Sequence, residues 1–556
     1  MTAARITRHF VTVGNRRVHY TRAGSGPAVV MLHESPCSAK SLQEAQEIFA
    51  ASHTAIAFDT PGFGLSDPLP LEQPEIADFA DALAETLDAL GIDQVAAYGR
   101  HTGASIAVEF ARRHQQRCAM ALTAGYPVYN DTQREDRLTA YLKPLVPSWD
   151  GSHLLWLWFR YREQHVFWPW HNHVAASRAD TDVPDLDFLQ RGVLELLEAG
   201  DGYRVAYAAA FRHRGLSALP DLRVPVCFAS HPGDSLLRTL ALFPAGTWTQ
   251  EMPRDRVEAA VAERAALGRY HARGAVPPPV ACRPLPGRTT TDYVDLGGNQ
   301  MLVRSVGDIS GGAEPVLVLP PIPGSSALVD PLLLALGNAK PVLALDLPGQ
   351  GESPAPDNFT PDIADWATAA LAALDRLGIA RVHLYGDQGG AAVAVALAAR
   401  AGERIASIAL GSPPALPSSG RDAFAAAYAP SATPEWDGSH LVRVWHHLRD
   451  QELWWPWFDR RRETARHNEP DIDPARLTVR VRECLRQPYL YQAIWQEVLR
   501  YPLREQLAQL ARPVKLISAE GDLFARFLTD AAAVCADATV MRIGATPEER
   551  AAAILA

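Results

Sequence analysis

Two short turns hold the residues with the clearest chemical potential. Gly99-Arg100-His101-Thr102-Gly103 and Gly386-Asp387-Gln388-Gly389-Gly390 each follow a β-rich apolar run (QVAAYG, RVHLYG) and precede a helical pattern. Glycines on both sides admit close backbone approach. His101, at the centre of the first turn, can take up or release a proton near neutral pH. Gln388, at the centre of the second, has an amide that is a very poor nucleophile or base. Further reactive types stand at His33-Glu34, where the run AVVMLH ends, at Asp234 in FASHPGD and at Asp522 in ISAEGD. A motif W-D-G-S-H-L, then R-[ED]-Q and W-P-W, occurs twice. Its first copy holds His153, Arg162 and Trp168. As a ligand-binding motif it would offer His153 and Arg162 to polar groups and tryptophans as apolar walls. As a structural motif it would use Asp150 as a helix cap, Arg162 as an ion-pair partner and the tryptophans as packing. Its survival beside the inert Gln388 favours the structural reading.

Other chemistries have no sequence support. There is no phosphate loop, no H-E-x-x-H and no dinucleotide fingerprint, and the six cysteines lack C-x-x-C spacing. No metal and no cofactor is therefore expected. The 556 residues are 47% hydrophobic and 21% charged, with a net charge of -10 and no long acidic run. That balance speaks against nucleic acid or an anionic membrane as partner and for a small-molecule substrate. No stretch of about 18 apolar residues predicts a membrane span, and the first twenty residues lack an apolar signal core. The expectation is a cytoplasmic protein, with homo-oligomerisation left open.

These residues sit in a repeat. Phe58–Pro68 (FDTPGFGLSDP) matches the stretch from Leu345 (LDLPGQGESPA), and PSWDGSHL matches PEWDGSHL. Asp59 and Asp346, Gly99 and Gly386, His153 and His440, and Trp170 and Trp457 are all 287 apart. A constant register of this length means one segment was duplicated. The Pro- and Gly-rich stretch near Gly268–Thr291 marks the seam. The predicted division is residues 1–265, a linker over 266–289, and residues 290–556. In each half, short strands alternate with amphipathic helices, which predicts an α/β fold with a mostly parallel sheet flanked by helices. Residues 127–214 and 413–502 break the alternation. They are helical and rich in Trp and Arg, and they predict a helical cap over each sheet.

A histidine closing a strand before a turn, then D-x-P-G-x-G-x-S, then strand–G-x-x-x-G–helix and a cap, resembles the α/β-hydrolase family. The similarity is greatest to the branch of epoxide hydrolases, haloalkane dehalogenases and carbon–carbon bond hydrolases, and it covers nearly the whole chain twice. The resemblance implies a nucleophile at the centre of the glycine-flanked elbow, an acid after a late strand and a histidine near the domain's end. Here the elbow centres are His101 and Gln388. The acid positions fall on Asp234 and Asp522. No histidine follows Asp522, and only His271, in the linker, follows Asp234. A Ser-His-Asp triad is thus missing from both halves.

One reading joins these departures. A histidine at the elbow fills the space of serine plus histidine and contacts Asp234 directly. His101, Asp234 and Glu34 would then act on a small carbonyl or ester-like substrate, by hydrolysis or lyase-type proton abstraction. His33 and the Thr102 amide, with Glu34, would hold a developing anion, and the helix N-terminus would disfavour protonation of the ring. The second half, with Gln388, Asp522 and Pro320-Pro321 in its oxyanion loop, would be inactive. The alternative is a catalytically dead tandem pseudo-hydrolase that binds a ligand or serves as a scaffold.

Overall fold

The computed structural model describes residues 4–310, 312 and 314–556. The first sheet has eight strands: β1 (Thr7–Val13), β2 (Arg16–Ala23), β3 (Ala28–Leu32), β4 (Thr54–Phe58), β5 (Val95–Arg100), β6 (Cys118–Ala124), β7 (Val226–Ser230) and β8 (Thr249–Glu251). Their spatial order is β1-β2-β4-β3-β5-β6-β7-β8. Strands β1, β2 and β4 pair antiparallel, and the remaining pairs are parallel. β3 and β4 are buried along their whole lengths. Their continuous apolar runs are what a sheet covered on both faces requires.

The second sheet repeats the pattern with β9 (Thr290–Asp295), β10 (Gln300–Val306), β11 (Val316–Leu319), β12 (Val342–Leu345), β13 (Val382–Asp387), β14 (Ile405–Gly411), β15 (Val514–Ala519) and β16 (Ala538–Ile543). Its order, β9-β10-β12-β11-β13-β14-β15-β16, is the same as that of the first. Between β6 and β7 the chain forms the helices Asp131–Asp136, Ser152–Glu163, Leu186–Ala199 and Tyr203–Arg212. Between β14 and β15 lie their counterparts, Arg421–Tyr428, Ser439–Asp450, Pro474–Leu485 and Tyr491–Arg500, followed by Leu503–Gln509. Two eight-stranded α/β domains in tandem are therefore present.

The chain divides into two compact units. One holds Met1–Val146 and Trp156–Arg283, and the other holds Pro147–Leu155 and Pro284–Ala556. The Pro-rich stretch before residue 283 is fastened to the first unit. The Arg273 amide donates to Gln94 Oε1 at 3.1 Å, and the Arg283 amide donates to Thr12 Oγ1 at 2.9 Å. Irregular backbone of this kind takes its hydrogen bonds from its neighbours, which composition alone does not reveal.

The D-x-P-G-x-G-x-S turn is a structural clamp in the first unit. Asp59 is buried. It accepts from the Ala39 amide and the Leu65 amide, and its Oδ2 lies 2.8 Å from His19 Nδ1, each bond measuring 2.8 Å. Gly64 has a positive φ of 52°, and a Cβ there would lie 2.1 Å from the Asp59 carboxylate. The clamp joins the loop after β3, which carries Glu34, to the turn after β4.

Candidate active site

His101 sits between β5 and the helix Thr102–Arg113, with φ 46° and ψ -106°. The left-handed backbone lifts its side chain out of the sheet, and the ring is 38% exposed. The local cost of such a conformation is characteristic of functional positions. The His101 amide donates to the Ala124 carbonyl at 3.1 Å, which ties the elbow to β6. Its Nε2 lies 3.0 Å from Asp234 Oδ2. Asp234 follows β7, is largely buried, and accepts from the Leu236 amide at 2.8 Å. Burial opposes ionisation of Asp234. The charge and hydrogen bond of His101, with the Leu236 amide, outweigh it and hold the carboxyl down at about 2. An ionised carboxylate only accepts, so Nε2 carries the proton and Nδ1 is the open nitrogen.

Burial also opposes protonation of His101, but Asp234 and then Glu34 outweigh it and raise its pKa above the ordinary 6.5. The two nearby carboxylates therefore favour the protonated ring.

Glu34 lies in the loop after β3, with Oε2 3.3 Å from the Ser41 hydroxyl. Burial favours its neutral form, yet Arg100, a backbone amide, His101 and His33 together hold it below the usual carboxylate range. An ionised Glu34 repels a developing oxyanion, so electrostatics oppose a role for it in holding one. Its charge instead favours the protonated imidazole. Arg100 is held in turn: its Nε donates to the Tyr98 hydroxyl at 2.8 Å, and Tyr98 donates to Glu263 Oε2 at 3.0 Å. Burial raises Glu263 to about 7.

The remaining expected residues divide. Thr102 opens the elbow helix, so its amide has no intrahelical acceptor and is available to an anion. His33 is not available. Its Nε2 accepts from the Thr60 amide at 3.0 Å and its Nδ1 lies 2.9 Å from the Glu34 carbonyl, so both nitrogens hold the loop. His153 is not available either, because both of its ring nitrogens are engaged within its own unit. There its Nδ1 accepts from the Ser148 amide at 3.1 Å and its Nε2 lies 3.0 Å from Thr478 Oγ1. Burial lowers its pKa to about 4. His440 plays the same local part, accepting from the Glu435 amide at 3.1 Å. Arg162 pairs with Glu163 at 3.1 Å and stacks on Phe159 with its guanidinium 4.3 Å from the ring centre. Trp168 packs edge-on against Tyr141, and its indole N–H is buried without a hydrogen-bond partner. Arg137 Nε and Arg160 Nη2 in the same cap are likewise buried without a partner.

The second elbow is built differently. Gln388 has the same φ of 46°. Asp522 is engaged by Ser412 Oγ at 2.7 Å and by Arg550 Nη2 at 3.0 Å. Arg550 also donates to the Tyr385 hydroxyl at 3.1 Å, and Tyr385 donates to Asp387 at 3.1 Å. Beside equivalent tyrosines the two halves carry opposite charges: Arg100 with Glu263, and Asp387 with Arg550. Both relays lie outside the motifs legible in the sequence. The 287-residue match of Tyr98 to Tyr385, with Arg100 facing Asp387, was the available signal. Among the described residues no cluster of three or more metal-ligating side chains is present, and no helix is long and apolar enough to cross a membrane.

These features define the class. The family model described as "alpha/beta hydrolase fold" matches residues 26–144 and 314–443, once in each sheet-bearing half. The chain carries the α/β-hydrolase fold twice, once in each half. Among curated relatives, a 2-hydroxy-6-oxo-6-phenylhexa-2,4-dienoate hydrolase of Burkholderia cepacia is 31% identical over 128 residues, which is 21% of this chain and 45% of that protein. A soluble epoxide hydrolase of Corynebacterium sp. (strain C12) is 34% identical over 106 residues, 19% of this chain and 37% of that protein. The chain spans less than half the length of these relatives. Among solved structures, the enol-lactonase from Burkholderia xenovorans LB400 matches 47% of this chain and 95% of its own, with 20% identity and a TM-score of 0.36.

Proposed function

We propose that the first domain is a hydrolytic enzyme for a small carbonyl or ester-like substrate, with His101 as general base paired to Asp234. The observation that carries this reading is the 3.0 Å contact between His101 Nε2 and Asp234 Oδ2 at a strained, half-buried elbow. Asp234 fixes the tautomer and stabilises the imidazolium, the part an acid plays in a triad. Nδ1 takes a proton from water as the water oxygen bonds to the substrate carbonyl carbon. The carbonyl electron pair moves onto oxygen, where the Thr102 amide donates to it. When the pair returns, the bond to the leaving group breaks and His101 gives its proton to that group. The same base would equally remove a proton α to a carbonyl, the lyase form of the reading. Curated relatives named as hydrolases of small organic molecules lend weight to the hydrolytic form.

The base works only when neutral. Because its pKa lies above 6.5, kcat/KM is expected to fall as pH drops through a midpoint above that value, as a single-proton transition. A pH–rate profile on an active ester or enol-lactone checks this. A midpoint below 6.5 argues against His101 as the base.

The second domain is assigned no chemistry. Gln388 offers no base, and Asp522 is spent on Ser412 and Arg550. Gln388→Ala is expected to change turnover by less than about twofold. A loss of 100-fold, about 2.7 kcal/mol on the barrier, would return the second elbow to the mechanism.

A further inference from the structure

The residue that follows the strand beside the elbow differs between the halves: Gly125 after β6 and Ser412 after β14. Both have positive φ, 76° and 41°. In the second half the Ser412 hydroxyl donates to Asp522 Oδ2 at 2.7 Å and lies 3.1 Å from Ser518 Oγ. The serine side chain therefore takes the acid for itself. In the first half a Cβ on Gly125 would lie 2.2 Å from Asp234 Oδ2 and 2.6 Å from His101 Cδ2. No carbon tolerates those distances, so any side chain at 125 displaces one of the two partners. Ser230, which closes β7 as Ser518 lies in β15, is buried and its Oγ has no partner. That is the mark left where the serine–serine contact of the second half is missing.

We infer that Gly125 is a positioning residue: its bare Cα leaves the space in which His101 meets Asp234, and a serine there captures the acid as Ser412 does. The catalytic consequence rests on the reading of His101 as base. The positional claim does not. A serine at this site is compatible with the fold, since Ser412 occupies the same place with positive φ.

The test is histidine-selective NMR on the full chain, with the His101 signal assigned by its loss in His101→Ala. In the wild type the ring should titrate above 6.5. In Gly125→Ser the midpoint should fall to 6.5 or below, and turnover should drop at least 100-fold. A midpoint that stays raised overturns the inference. If the midpoint falls while His101→Ala leaves turnover intact, Gly125 still positions the pair and the base reading alone fails. A second measurement serves if Gly125→Ser does not fold. The imidazole introduced by Gln388→His should titrate higher when Ser412→Gly is added than without it, and equal midpoints overturn the inference.

Discussion

His101→Ala should lower kcat/KM by about 10²–10⁴-fold on any substrate that the first domain turns over, the usual contribution of a positioned base. That is about 3–5 kcal/mol of transition-state stabilisation. Asp234→Asn should fall in the same range. An asparagine can present its NH₂ to Nε2, which forces the ring into the wrong tautomer and leaves no charge to support the imidazolium. The double variant should be little worse than either single one, because the two residues act as a unit. Losses that multiply would indicate two independent roles. Substrate binding by the single variants should survive, since neither change touches the cap. Asp234 also sets an acid limit. Its folded pKa of about 2 lies below the ordinary carboxylate value of 3.8, so its contribution to stability is complete above about pH 4 and is lost as pH falls toward 2.

Asp59→Ala should give the largest loss of stability. Removing this carboxylate strips the acceptor from the Ala39 and Leu65 amides and from the contact with His19 Nδ1. Each buried donor left without its acceptor costs about 1–3 kcal/mol. Urea unfolding should show the transition of the first domain moved to lower denaturant while that of the second stays in place. Asp346→Ala should move the second transition instead, because Asp346 accepts from the Ser326 and Glu352 amides in the same turn. A shift below about 1 kcal/mol in the Asp59 variant would show that the clamp is not what holds the loop carrying Glu34. The acid window agrees in sign. The pKa of Asp59 is lowered in spite of its burial, mainly through His19, so its share of stability is present above the unfolded value and lost below it.

The architecture was legible because its signals are periodic and repeated. Runs such as AVVML and TAIAF alternate with helical stretches, and the constant 287-residue offset fixes two copies of one fold. The contact between His101 and Asp234 was legible from motif position. The availability of a side chain was not. His33 ends a strand as expected, but whether its nitrogens are free depends on the Thr60 amide, which motif spacing does not register. His153 lies in a repeated motif, and the repetition reflects a shared turn: the same ring nitrogen accepts a backbone N–H in both copies. The relay from Arg100 through Tyr98 to Glu263 joins β5 to a helix 165 residues further along the chain. No local pattern encodes such a contact. Gly125 was overlooked because a glycine after a strand reads as an ordinary turn, and its meaning emerges only from what a Cβ would strike.

The most direct test of the central claim pairs two curves on one protein. kcat/KM is measured against pH on an active member of a panel of small esters and other small carbonyl compounds, and the His101 ring is titrated by NMR in the same buffers. The account predicts one shared midpoint above 6.5 that shifts downward in both curves in Asp234→Asn. Turnover whose pH dependence ignores the His101 titration, or which persists undiminished in His101→Ala, would contradict it.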